Sequence, residues 1–118
     1  MMNDQDFKNY NYNILGANSK IVGDLTLSGD TILNSQLEGN IFVKNSGKLV
    51  LERGSSIKGK IEAIDLEIFG TVEGEINCSG LVSIRSSAKV QGQIKAGRLV
   101  IYPGADVEMN ASTEETSL

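Results

Sequence analysis

Between Ile21 and Met109 the chain alternates apolar and polar positions in short runs, and one run recurs: apolar, any residue, Gly, any residue, apolar. It reads Ile21-Val22-Gly23-Asp24-Leu25, Leu37-Glu38-Gly39-Asn40-Ile41, Ile57-Lys58-Gly59-Lys60-Ile61, Val72-Glu73-Gly74-Glu75-Ile76 and Val90-Gln91-Gly92-Gln93-Ile94. The central glycines Gly23, Gly39, Gly59, Gly74 and Gly92 are 16, 20, 15 and 18 residues apart. Between the copies lie alternating segments, Leu49-Val50-Leu51, Leu66-Glu67-Ile68, Leu81-Val82-Ser83-Ile84 and Leu99-Val100-Ile101. Each is followed by a small turn, at Arg53-Gly54-Ser55, Phe69-Gly70-Thr71, Arg85-Ser86-Ser87-Ala88 and Pro103-Gly104-Ala105. Short runs of Val, Ile and Leu with period two predict strands. No stripe of period 3.6 supports a helix.

A unit of about 15–20 residues is too small to bury its own apolar side, and stacking copies solves this by piling like residues into one interior. The expected fold is all-β, a single-domain parallel β-helix of about five to six rungs, each strand pairing with its copy in the next rung. The five glycines then sit at bends where a Cβ would clash or φ must be positive. Handedness does not follow from the pattern. An antiparallel sandwich also uses many short strands. The near-constant repeat and the lack of Asn-Gly or Asp-Gly hairpin turns argue against it.

The repeat divides the chain into an irregular segment 1–19, a β-helix core 20–109 and a disordered polar, acidic tail 110–118. A stack of rungs leaves open backbone edges and an open core at both ends, and repeat proteins normally cap these with polar units or a helix. No amphipathic capping helix is visible. Uncapped ends invite end-to-end association through Ile21, Leu25 and Leu27 on one side and Leu99, Ile101, Tyr102, Val107 and Met109 on the other. The opposing expectation is that residues 1–19 fold over the first rung and keep the chain monomeric.

Composition narrows the function classes. The 118 residues include no His and one Cys, Cys78. That removes His-based acid–base and nucleophilic catalysis, an intrachain disulfide, and Cys- or His-clustered metal sites. A lone Cys suits a reducing compartment, so the cytoplasm is expected. Beside small Ser79 and Gly80, Cys78 reads as a buried structural thiol. The net charge is −4 with no basic run, which argues against a nucleic-acid partner. No apolar run reaches the length of a membrane span, and the first residues do not read as a secretory signal. The glycines match no phosphate-cradling motif, so no nucleotide or other cofactor is expected. Glu73 and Glu75 occupy the positions of Lys58/Lys60 and Gln91/Gln93 in neighbouring units, which makes a solvated outer face rather than a catalytic pair, with Glu75 and Lys60 able to pair across rungs.

The run from Lys20 to Met109 resembles the bactofilins, bacterial polymer-forming cytoskeletal proteins. The resemblance rests on the five glycine-centred copies, on Gly47-Lys48-Leu49-Val50-Leu51 and on Leu99-Val100-Ile101-Tyr102-Pro103-Gly104-Ala105. It implies a right-handed, triangular β-helix that forms non-polar filaments end to end without nucleotide. It also implies a scaffolding role in cell shape, cell-wall organisation, polarity or motility, with cell-wall enzymes as partners. Many members bind the inner membrane through a short N-terminal segment. The candidates here are Met1, Met2 and Phe7, and Asp4 and Asp6 between them oppose binding to an anionic leaflet. Family members often carry a Phe in the final rung. Val107 stands in that stretch, so the end contact is weaker or built from Tyr102 and Met109. Hexapeptide-repeat acyltransferases are similar in architecture alone and use a catalytic His, so no enzyme activity is expected. The rival reading is a monomeric β-helix that docks a partner such as a cell-wall enzyme.

Overall fold

The computed structural model describes residues 12–16, 19–44 and 47–117. Its elements are β1 (Tyr12–Leu15), β2 (Lys20–Val22), β3 (Leu25–Ser28), β4 (Asp30–Leu33), β5 (Gln36–Lys44), β6 (Lys48–Leu51), β7 (Ser56–Ala63), β8 (Asp65–Ile68), β9 (Thr71–Ile84), β10 (Lys89–Ile101) and β11 (Asp106–Ser117). They join in one 11-stranded sheet. Every pairing between them is parallel, so the sandwich is excluded and the sheet coils as a solenoid.

The registers resolve three faces. The first stacks β1, β4, β6, β8, the end of β9, the end of β10 and Glu115–Ser117. The second stacks β2 with the opening residues of β5, β7, β9, β10 and β11. The third stacks β3 on the following parts of those same strands. Successive rungs open at Tyr12, Asp30, Lys48, Asp65, Leu81 and Arg98, in keeping with the rung number expected.

The long strands pass from the second face to the third through a glycine corner. Gly39, Gly59, Gly74 and Gly92 are in register. A Cβ on Gly74, whose φ is 139°, would run into the carbonyl oxygen of Gly59. The repeat therefore requires glycine for close approach as well as for backbone conformation.

Alternation does the rest. Leu37, Ile57, Val72 and Val90 form one inward column, Ile41, Ile61, Ile76 and Ile94 a second. Leu33, Leu51, Ile68 and Ile84 form a third, and Leu49, Leu66, Val82 and Leu99 a fourth. None of these side chains is more than 2% exposed, and each contributes about 1.5–3 kcal/mol by leaving water. Polar groups at the corners tie rung to rung. The Asp30 carboxylate accepts from the Lys48 amide at 2.9 Å and the Asp65 carboxylate from the Leu81 amide at 2.8 Å. Outside, Lys20 meets Glu38 at 3.6 Å and Lys58 meets Glu73 at 4.0 Å. The ion pair thus forms two residues before the expected Lys60–Glu75 partners, which are in register.

Two boundaries move. Residues 110–117, expected as a disordered tail, continue β11 and pair with β10 as far as Val100↔Ser117. A parallel ladder bonds backbone to backbone, so a polar sequence joins it as readily as an apolar one. Within the segment expected to be irregular, Tyr12–Leu15 pairs with β4 and opens the first rung.

Candidate functional site

The surfaces that stand out are the two ends of the stack. At the N-terminal end Ile21, Leu25 and Leu27 lie in register with Leu37, Ile41 and Val43. Those three partners are buried, whereas Ile21, Leu25 and Leu27 are only partly buried against the core. At the C-terminal end Val107 follows Val90 and Ile101 follows Ile84. Ile101, Ala105, Val107 and Met109 are again partly buried against the core. The same columns that are sealed in the middle thus end in apolar groups with a neighbour on one side.

Met109 stands where the glycine column would continue, in register with Gly92. A side chain in that column's conformation runs into the carbonyl of the rung before, so the regular corner stops here and gains an apolar group.

Leu99 belongs elsewhere. It was expected at the end contact, but it is 1% exposed. Its register partner is Thr116, because Glu115–Ser117 adds a further strand beyond it. Leu99 is an interior residue of the fold. The expected membrane residues Met1, Met2 and Phe7 lie outside the described residues.

Tyr102 is 37% exposed at the C-terminal end. The Arg85 guanidinium lies 4.2 Å from its ring centroid and 5.4 Å from that of Phe69. Arg85 also reaches Glu67 at 3.6 Å, and Lys48 reaches the same carboxylate at 3.8 Å. Phe69, Arg85 and Tyr102 each follow the last residue of a first-face strand, with amides bonded to Leu51, Ile68 and Ile84. They form a turn column that closes with an aromatic ring beside the open end.

The glycine positions and the alternating columns therefore converge on two apolar ends rather than on a cleft. The family model for bactofilin, described as polymer-forming cytoskeletal, matches residues 13–112. The chain belongs to the bactofilin family. It is similar to bactofilin BacO of Myxococcus xanthus (strain DK1622), with 30% identity over 101 residues, 86% of this chain and 79% of that protein. It is also similar to bactofilin BacP of the same organism, with 26% identity over 97 residues, 82% of this chain and 40% of that protein. No solved structure matches it significantly.

As a bactofilin the chain is a member of a structural family, and its remaining chemistry fits a packed solenoid. Cys78 is 2% exposed, and burial pushes its thiol up to about 12. That makes it a poor nucleophile at neutral pH. Glu73 and Glu75 are exposed on either side of Gly74, in line with the exposed Lys58 and Lys60. Among the described residues no group of three or more His, Cys, Asp or Glu could hold a metal ion. No helix among them is long and apolar enough to cross a membrane.

Proposed function

We propose that this bactofilin polymerises end to end, without nucleotide, and serves as a cytoplasmic scaffold that organises cell-wall enzymes or cell shape. The observation that carries this reading is the contrast along the columns: Ile21, Leu25, Leu27, Ile101 and Val107 are partly buried, while their register partners Leu37, Ile41, Val43, Ile84 and Val90 are sealed, and Met109 adds a partly buried apolar group at the corner beside them. A second copy set on either end gives these side chains the neighbours they lack. Burial of each apolar side chain yields about 1.5–3 kcal/mol. Several together offset the several kcal/mol that association costs. Parallel edges at both ends supply backbone donors and acceptors for the same junction. The inner face of the cytoplasmic membrane is a natural location if Met1, Met2 and Phe7 contact lipid.

Negative-stain electron microscopy of the purified chain without nucleotide, at low and high salt, tests the proposal. Filaments or ribbons are expected. Val107→Arg places an unpaired charge on the last rung and is expected to abolish them while leaving the circular dichroism spectrum unchanged. Filaments of Val107→Arg like those of the parent would sink the C-terminal contact. A monodisperse 12.7 kDa species from the parent chain would favour a monomeric docking module instead.

A further inference from the structure

We infer that Glu115–Ser117 is a built-in stop over the Leu99 column at the C-terminal end, so that a second copy seats on the apolar groups left beside it, Ile101, Val107 and Met109. The inference rests on the end-to-end reading and specifies which region of the end is used.

The chain overshoots its last rung. Having completed the second and third faces of its last rung, β11 continues onto the first face and pairs Arg98↔Glu115, Leu99↔Thr116 and Val100↔Ser117. This extra strand is why Leu99 is sealed while Val107, at the end of its own column, is only partly buried. The added strand does not renew the apolar surface. The first-face register positions that hold Leu49, Leu66, Val82 and Leu99 continue to Thr116. On the third face Cys78 and Ala96 are followed by Thr113. The second-face column stays branched and apolar to its last position, from Val72 through Val90 to Val107, and so does the first-face column beside the closed one, from Ile68 through Ile84 to Ile101. Met109 extends that apolar edge at the adjoining corner. The segment Ser112-Thr113-Glu114-Glu115-Thr116-Ser117 is polar throughout and carries two carboxylates. Short, charged edge strands are how natural sheets prevent unwanted pairing.

The other end repeats the division. The column of Leu99 opens with Asn13 in register with Thr31. The second-face column opens with Ile21 in register with Leu37. The column of Leu99 thus has polar residues at both of its end positions, and the column of Leu37 and Val90 has apolar ones at both. Any copy that joins by either end meets one closed column among adhesive ones. That restricts how it can be rotated about the long axis.

The test is sedimentation of assembled protein across a concentration series, on the full chain, on a chain stopped after Thr113, and on Thr116→Leu. The stop variant exposes Leu99 for a second copy to bury, and Thr116→Leu puts an apolar residue on the closed column. Each is expected to lower the concentration at which assembly begins about tenfold, the factor that burying one such side chain commands. Thr116→Leu retains the strand, so it decides the matter if the stop variant melts early by circular dichroism. An unchanged or raised threshold in both variants overturns the inference. In that event Val107→Arg still abolishes assembly if the end-to-end reading is sound, so the two failures are told apart. If the full chain does not sediment at any accessible concentration, assembly of either variant supports the stop, and assembly of neither overturns it.

Discussion

The glycine column permits a comparison that separates backbone conformation from steric clash. Gly23 and Gly74 share the same kind of backbone, with φ of 129° and 139°. A Cβ at Gly23 meets nothing within 4 Å, because that corner is the first of its column. A Cβ at Gly74 meets the carbonyl oxygen, carbonyl carbon and amide nitrogen of Gly59. Gly23→Ala therefore carries the conformational cost alone, about 1–3 kcal/mol for a non-glycine residue in a sparsely populated region. Gly74→Ala carries that cost and must also push neighbouring rungs apart at the corner. Two or three ladder hydrogen bonds loosened at about 1 kcal/mol each add roughly 2–3 kcal/mol. The gap between the two variants is then about 2–3 kcal/mol. For a domain of this size that gap corresponds to roughly 10 °C in melting temperature. Thermal unfolding followed by far-UV circular dichroism measures it. Both substitutions belong in a Val107→Arg background, so that unfolding is not coupled to assembly. If Gly74→Ala melts within about 2 °C of Gly23→Ala, the rungs yield at the corner without cost and the close-approach argument is wrong.

Other consequences are equally direct. Leu99→Ala removes a sealed side chain and is expected to cost about 2–5 kcal/mol in urea unfolding, whereas a residue of an open end would cost far less. Arg85→Ala loses the stack between Phe69 and Tyr102 together with the contact to Glu67, and should lower stability by about 1–2 kcal/mol, with Arg85→Lys restoring only a fraction. Cys78 should resist iodoacetamide at pH 8 in the folded protein and react promptly in denaturant. Its thiol titrates near 9 when unfolded and about 12 when folded. The unfolded state therefore loses its proton first, and stability should fall by about 1.4 kcal/mol per pH unit between those values. A Cys78→Ala variant should lack that extra alkaline slope in a series of melts.

Period-two alternation around a recurring glycine was enough to read the solenoid, because the columns Leu37–Val90 and Ile41–Ile94 need the same residue type at the same place in every rung. The glycine corner was legible for the same reason. What escaped was whatever does not depend on side-chain type. The strand at 110–117 is held by backbone pairing to β10, and nothing in Ser-Thr-Glu-Glu-Thr-Ser announces it. Missing that strand is what moved Leu99 from the interior to the end. Tyr12–Leu15 escaped likewise, since its pairing to β4 precedes the first glycine-centred copy. The Phe69–Arg85–Tyr102 stack joins turn residues one rung apart that share no chemistry, and only their matched places in the repeat could have brought them together.

The direction of the ladder bonds has a mechanical meaning. Strands lie across the long axis of the solenoid, so the hydrogen bonds between rungs lie along it. Pulling on the two ends loads those bonds one rung after another, in the manner of a zipper rather than a lap joint. Each rung that opens releases a length of slack chain, and the rest stays closed because each rung leans only on its neighbours. Compression instead presses the interior columns together, where close packing leaves little to yield. A rod made this way is stiff when pushed and gives by discrete steps when stretched, a fibre that absorbs tension without snapping its backbone.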